Sequence, residues 1–304
     1  MEKLFDKWIA VDWGTSTFRA YLVQNNKVSD TIETKDGMKF VKSHLFEQTL
    51  VNLIDRWLGD DDKITEILAS GMVGSKQGWE EAPYQQTPCN LKKLNYITPT
   101  LKDTRISLKI FSGVSQIHQP DVMRGEETQI AGFLNETPNF NGSICLPGTH
   151  SKWVEIRNNN IIKFKTFMTG ELFEIISKNS VLIHSVEAEK IDKMELLKSV
   201  DKIFKNPELF SNALFQLRAD DLINSKGPTI YKSRLSGYLL AIELLGSVEF
   251  WKNNDIVLIG NPDLTEMYQF VLNKKVKSIK KFLSSDMVLK GLKNFKKNFN
   301  KFKT

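Results

Sequence analysis

The segment IAVDWGTSTFRAYLV, residues 9–23, sets one carboxylate and a run of hydroxyls at a tight turn between two apolar strands. The first strand, residues 8–13, is nearly all apolar and is expected to lie buried in a sheet. Asp12 interrupts that run, and a carboxylate there is costly unless it meets a cation or hydrogen-bond donors. Gly14-Thr15-Ser16-Thr17 follows directly and offers backbone N–H groups and side-chain hydroxyls to an anion. A second strand over residues 18–23 leads away. An acid for a metal-bound water beside a phosphate-cradling hairpin is what a nucleotide phosphotransferase needs. The plainer alternative is a strand-end Asp that only satisfies turn amides.

Working outward, a third strand is read over residues 27–34 and a helix over 43–58, with Leu50, Leu53, Ile54 and Trp57 on its apolar side. A buried strand over 64–70 runs into a loop, 71–88, rich in glycine, aromatics and proline and long enough to suggest function. Beyond a strand at 107–111 and a helix within MRGEETQIAGFL, the boundary 135–141 is rich in Pro and Asn. There the strand–turn–strand device restarts, about 135 residues after its first appearance, as SICL, PGTHS and KWVEI. Two copies of one device argue for two similar halves facing each other across a cleft. Mostly helical sequence covers 170–250. A strand at 255–259, a capping box at Asp263-Leu264-Thr265-Glu266, a last strand at 276–279 and a helix opened by Asp286 complete an α/β pattern.

The 304 residues carry a formal net charge of +6, with 41% hydrophobic and 26% charged residues. That is the composition of an ordinary globular protein, at a length that favours two domains. No apolar run approaches the roughly 20 residues of a membrane span. The start MEKLFDKWIAVDWG leads straight into the first strand, so no signal peptide, no membrane partner and a cytoplasmic location are expected. Cys89 and Cys145 lack metal-ligand spacing and fit reduced thiols, with Cys145 in a core strand. His44, His118 and His184 show no partner spacing. Lys290, Lys293, Lys296, Lys297, Lys301 and Lys303 lie on a terminal amphipathic helix whose apolar side carries Leu289, Leu292, Phe295 and Phe299. No nucleic-acid motif accompanies them, so they are read as a solvated face and no nucleic-acid partner is expected.

Two further motifs carry chemistry. In Pro147-Gly148-Thr149-His150-Ser151-Lys152, glycine permits close backbone approach, threonine adds a hydroxyl, and His150 and Lys152 can carry positive charge. Facing residues 14–17, this turn would complete a clamp on a triphosphate. Arg124-Gly125-Glu126-Glu127-Thr128-Gln129 sits at a helix start, where two acids can cap exposed amides. Alternatively, one of them takes the proton of a substrate hydroxyl while Arg124 holds an anionic group. Adjacent helical residues point about 100° apart, so only one of the pair faces a cleft, and the pattern does not say which.

These residues resemble the 2-dehydro-3-deoxygalactonokinases, sugar-acid kinases of the actin-like ATPase superfamily. The similarity runs through IAVDWGTSTFRAYL, ASGMVGSKQGWEEAPY, VMRGEETQIAG, LPGTHSKWVEI and FMTGEL, and more weakly through RLSGYLLAIELLG and DLTEMY. The resemblance implies two ribonuclease-H-like (actin-like ATPase) domains facing each other across a nucleotide cleft. Residues 1–138 would carry the first phosphate loop, the sugar-side loop and the catalytic acid; residues 139–304 would carry the second phosphate loop and the adenosine region. The implied reaction is ATP-dependent phosphorylation of 2-dehydro-3-deoxy-D-galactonate to its 6-phosphate in D-galactonate breakdown.

On that scheme Asp12 holds Mg²⁺ through water. Gly14, Thr15, Ser16, Thr17, Gly148, Thr149 and His150 contact phosphates, and Glu126 or Glu127 is the base. Gly71, Gly74, Gly78, Ser75, Trp79 and Tyr84 form the sugar-side loop, and Arg124, with Lys152 second, receives the sugar-acid carboxylate. Gly260 lies on the adenosine side, although Pro262 in the same loop removes a backbone donor. The expected partner is a small-molecule sugar acid, and a homodimer is compatible with the sequence. The alternatives are a kinase of another keto-deoxy sugar acid, such as the gluconate epimer, or a non-catalytic nucleotide switch on the same fold.

Overall fold

A computed structural model describes residues 7–59, 63–273 and 275–301, with side chains through Asn298. The side chains of Phe299 and Lys301, and all of Lys303, therefore lie outside the described residues.

Along the chain, the strands β1 (Lys7–Trp13), β2 (Phe18–Gln24) and β3 (Lys27–Thr34) precede the helix α1 (Phe46–Ile54). The strand β4 (Thr65–Gly71) leads through the short strands β5 (Gln85–Gln86), β6 (Cys89–Asn90) and β7 (Tyr96–Ile97) to β8 (Ile106–Phe111). After β9 (Val114–Gln116) and β10 (Asp121–Met123) comes α2 (Glu126–Glu136). The hairpin strands β11 (Gly142–Leu146), β12 (Ser151–Arg157) and β13 (Asn160–Phe167) are followed by α3 (Thr169–Asn179), α4 (Lys193–Lys205), α5 (Phe210–Asn224), α6 (Pro228–Gly246) and α7 (Val248–Trp251). The chain closes with β14 (Asp255–Gly260), α8 (Pro262–Leu272), β15 (Ser278–Leu283) and α9 (Ser284–Lys301).

Two compact units result. The first comprises the described residues up to Asn141, Ile156–Lys163 and the helix from Ser284 on; the second comprises Gly142–Glu155 and Phe164–Leu283. This differs from a division into residues 1–138 and 139–304, chiefly because α9 belongs with the first unit. There Met287, Val288, Leu292 and Phe295 are buried, and α9 packs along α2. Its lysines are tied to that unit as well: Lys296 to Glu66, Lys293 to the Asn26 carbonyl and Lys290 to Glu136.

The first unit is built on a sheet of order β3-β2-β1-β4-β8-β7. The strand β1 pairs antiparallel with β2 and parallel with β4, which sets Asp12 opposite both Arg19 and Ser70. Its near-continuous apolar run is what a strand covered on both faces requires: Ile9, Ala10 and Val11 are fully buried. The helix expected over 43–58 is a composite, α1 flanked by 3₁₀ turns at Ser43–Leu45 and Asp55–Trp57, and it buries Leu50, Ile54 and Trp57.

In the second unit β14 lies parallel between β11 and β15. Trp153, Tyr231, Leu235 and Leu240 are at the centre of its core. Two local expectations are corrected here. The cap of α8 is Asn261, whose side chain accepts from the Asp263 N–H at 2.9 Å, with Pro262 in the first helical turn, where its missing donor costs nothing. The last strand is Ser278–Leu283 rather than 276–279, since its pairing with β14 aligns Ile279 with Ile256 and Phe282 with Ile259.

Candidate active site

In the first unit the turn after β1 is closed by the Gly14 N–H donating to the Thr17 carbonyl at 2.9 Å. The carbonyls of Gly14 and Thr15 accept from Met38 and Lys39. Thr15, Ser16 and Thr17 are exposed at its tip. Beside it, Asp12 has only a loose partner, Arg19 Nη1 at 3.7 Å, while the same guanidinium donates to Glu33 at 2.8 Å. Burial pushes the Asp12 carboxyl up to about 6; Arg19 opposes the rise, and the nearby Glu126 and Glu33 add to it. Among the described residues no three His, Cys, Asp or Glu side chains gather to hold a metal unaided. A single weakly paired carboxylate beside a hydroxyl-bearing turn fits a cation that brings its remaining oxygen ligands from water and phosphate.

The start of α2 is next to this strand end. Gly125 precedes the helix at φ 103°, a conformation that a side chain resists, and a Cβ on it would stand 3.4 Å from the Cα of Gly71. Both acids fold back onto backbone: Glu126 Oε2 accepts from the Arg124 N–H at 3.0 Å and Glu127 Oε2 from the Gly125 N–H at 2.7 Å. Beyond that capping they differ. Glu127 is fully buried, with the Thr128 hydroxyl on Oε1 and Ser70 against Thr128 at 2.6 Å. Burial, with Glu126 adjacent, pushes its carboxyl up to about 8. Glu126 is half-buried, and its charge is felt at Asp12.

Arg124 is the anomaly of this unit. Its side chain is buried, at 8% exposure, with Nη2 donating to the Ala82 carbonyl at 2.8 Å and the guanidinium over the Tyr84 ring at 4.3 Å. Its Nε and Nη1 have no hydrogen-bond partner, nor has the hydroxyl of buried Ser75, next to Gly74 in sequence. A Cβ on Gly74 would come 3.1 Å from Nη1, so the guanidinium packs against bare backbone there. A buried cation with unpaired donors is expensive unless an anion joins it. Trp79, from the same loop, turns instead to the core, stacked on Phe46 and edge-on to Trp13.

The second unit holds the other turn. Gly148 is half-buried, and Thr149 and His150 are exposed, with His150 Nε2 2.6 Å from Glu171. Lys152 is buried and donates to the His150 carbonyl at 3.2 Å. The turn is seated on the start of α3: Glu171 N–H donates to the Thr149 carbonyl at 3.0 Å. A Cβ on Gly170 would stand 2.5 Å from the Gly148 carbonyl, so only glycine fits there. Gly148 also borders a cavity of about 210 Å³ walled by Phe173, Leu239, Leu240, Leu264, Met267 and Tyr268, with Thr169, Lys232 and Ser236 at its polar points. Gly260 is not in this wall; it packs against Pro147 behind the turn.

Leu239, Leu240, Leu264, Met267 and Tyr268 lie in RLSGYLLAIELLG and DLTEMY, whose helical apolar pattern reads as ordinary core. Beneath them is Glu243, which sequence reasoning missed entirely. It is 1% exposed, accepts from Trp153 Nε1 at 2.8 Å and Tyr268 at 2.7 Å, and also receives the Thr169 hydroxyl. Burial pushes its carboxyl up, and these donors pull it back.

A mixed-sheet α/β chain with two strand–turn–strand devices and an apolar cavity beside one of them has the architecture of the actin-like ATPase and sugar-kinase fold. It is similar at TM-score 0.51 to component A of the (R)-2-hydroxyglutaryl-CoA dehydratase of Acidaminococcus fermentans, at 12% identity over 96% of this chain and 99% of that one, a likeness of fold alone. Residues 12–295 match the model of the 2-keto-3-deoxy-galactonokinase family, and the chain belongs to that family. It is 31% identical over 294 residues to a protein of Rhizobium meliloti (strain 1021) named "Probable 2-dehydro-3-deoxygalactonokinase", covering 94% of this chain and 95% of that one. The 2-dehydro-3-deoxygalactonokinase of Escherichia coli (strain K12) is 26% identical over 266 residues, 86% of this chain and 88% of that one. The crystal structure of "a putative 2-dehydro-3-deoxygalactonokinase protein" from Sinorhizobium meliloti superposes at TM-score 0.88 with 30% identity over 96% of this chain and 99% of that chain.

Proposed function

We propose that this chain is a 2-dehydro-3-deoxygalactonokinase, transferring the γ-phosphate of ATP to the terminal hydroxyl of 2-dehydro-3-deoxy-D-galactonate in galactonate breakdown. The observation that carries the substrate reading is Arg124, a buried guanidinium with two unpaired nitrogens over the face of Tyr84, in a unit where the buried Ser75 hydroxyl is also unpaired. That is a seat for a small carboxylate with an adjoining polar carbon chain. Gly74 lets the guanidinium lie against bare backbone, and Lys152, committed to the His150 carbonyl, is the poorer anchor.

Of the two acids, Glu126 is the base. It is partly open to solvent, whereas Glu127 is sealed in the interior and serves to hold the Arg124–Glu126 segment in place. Gly14, Thr15, Ser16 and Thr17 in one unit, and Gly148, Thr149 and His150 in the other, are the phosphate-binding groups. Asp12 would hold Mg²⁺ through water, the cation supplying charge neutralisation on the phosphates. The apolar cavity beside Gly148 takes the adenine ring, with Gly260 supporting it from behind through Pro147. Catalysis then consists of orienting the hydroxyl, removing its proton at Glu126 and meeting the charge that develops on the phosphoryl oxygens.

Among the described residues no helix is long and apolar enough to cross a membrane. A panel of keto-deoxy sugar acids assayed for ADP release tests the proposal. Turnover strongly dependent on added 2-dehydro-3-deoxy-D-galactonate is expected. ATP hydrolysis that is equal with and without every sugar acid would end the kinase reading, and a preference for the gluconate epimer would reassign the substrate.

A further inference from the structure

Glu243 makes none of the contacts assigned above to phosphate or sugar, yet it is buried and accepts from three side chains. A carboxylate offers only acceptors, so every proton around it must point inward. Trp153 on β12, Thr169 at the start of α3 and Tyr268 on α8 all donate to it. With its proton committed to Glu243, the Tyr268 oxygen is left to accept from the Ser151 hydroxyl at 3.0 Å. Ser151 Oγ in turn stands 3.5 Å from the Gly148 N–H. The protons of this chain therefore have one direction, fixed at its buried end, and it terminates in the second turn.

Its members are also the fixtures of the cavity. Thr169, Tyr268 and Gly148 line it, and Glu243 sits one helical turn beyond Leu239 and Leu240 on α6. A buried carboxylate is a poor way to gain stability, because desolvation cancels much of what its bonds return, and an apolar side chain of similar volume often does as well. What an apolar residue lacks is the power to orient two hydroxyls.

We infer that Glu243 is a positioning residue for nucleotide binding, fixing the second turn and the cavity wall through Thr169, Tyr268 and Ser151. This rests on the assignment of that turn and cavity to ATP.

The test is Glu243→Gln, which keeps size and shape. The amide oxygen can still accept from Trp153, while the NH₂ group faces the two hydroxyls and reverses their direction. The expected result is a melting temperature within a few degrees of the parent protein, a KM and calorimetric Kd for ATP raised about tenfold, and an unchanged KM for the sugar acid. Ser151→Ala, which leaves the buried acid with its Trp153, Thr169 and Tyr268 donors, should shift ATP affinity the same way by a smaller factor. Combined with Glu243→Gln it should add little, since both cut one chain. If Glu243→Gln fails to fold, Ser151→Ala decides: a raised Kd for ATP supports the inference and a parental Kd overturns it. Parental ATP affinity in a folded Glu243→Gln protein overturns it too. An unsubstituted protein that binds no ATP at all would remove the nucleotide assignment itself, and this inference with it.

Discussion

Arg124 and Glu243 are both buried charges, one in each unit, and the protein treats them in opposite ways. Glu243 is surrounded by donors from three different elements. Arg124 has a single carbonyl and an aromatic face, and two of its nitrogens have no partner. Both solvation patterns follow from the same rule, that a buried polar group must be paired by something. Where the protein does all the pairing, the charge organises structure. Where it stops short, the remaining partner has to come from outside. On the proposed assignment, the nucleotide side is built complete, and the sugar side leaves a buried cation short of partners.

The strongest way to break this contrast lies between the two adjacent acids of α2. Glu126→Gln should lower kcat by about 10²–10⁴-fold with little change in the KM for ATP. Glu127→Gln should leave kcat within a few-fold of the parent, because Glu127 is fully buried on the Gly125 N–H and the Thr128 hydroxyl. Steady-state kinetics on the two variants decide it, and the reverse ranking would exchange their roles. Asp12→Asn should cost orders of magnitude in kcat while the melting temperature holds; near-parental turnover would strip Asp12 of its cation role.

A smaller effect is a pH limb. With the Asp12 carboxyl raised to about 6, the group is neutral and a poor cation partner below that value, so kcat should climb through about pH 6 and then level off. A rate profile flat from pH 5 to 7 would contradict the assignment. The smallest effect is on stability. Glu127 keeps its proton in the folded protein up to about 8 but loses it near its ordinary value when unfolded. Its contribution is therefore complete below about pH 4.5 and declines as pH rises toward and through 8. Glu127→Gln should flatten the fall in melting temperature between pH 5 and 8 and raise it at pH 8, and an unaltered slope would refute the burial argument.

How much of this was legible in the sequence depended on how local the cause is. The hairpin of residues 9–23, the second turn and the acid-bearing helix start are local, because glycine, hydroxyls and an apolar run dictate them within a few residues. The cap of α8 was misread since Asp263-Leu264-Thr265-Glu266 imitates a capping box, while Asn261 and Pro262 begin the helix earlier. Phe295 could be read as apolar, but its burial against Phe111 in the first unit is a long-range packing choice that no helical period encodes. Glu243 was invisible for a related reason: in AIELLG it looks like the solvent-facing residue of an amphipathic helix, and only the fold brings Trp153, Thr169 and Tyr268 around it. The unpaired nitrogens of Arg124 are likewise a property of the assembled loop.

The central claim is that Arg124 is left incomplete for a carboxylate. Calorimetric titration of 2-dehydro-3-deoxy-D-galactonate into the parent protein and into Arg124→Gln, without nucleotide, tests it most directly. Loss of a charge-assisted pairing predicts binding about tenfold to a hundredfold weaker in the variant, with ATP affinity unchanged. Equal affinity of the two proteins for the sugar acid would contradict the claim.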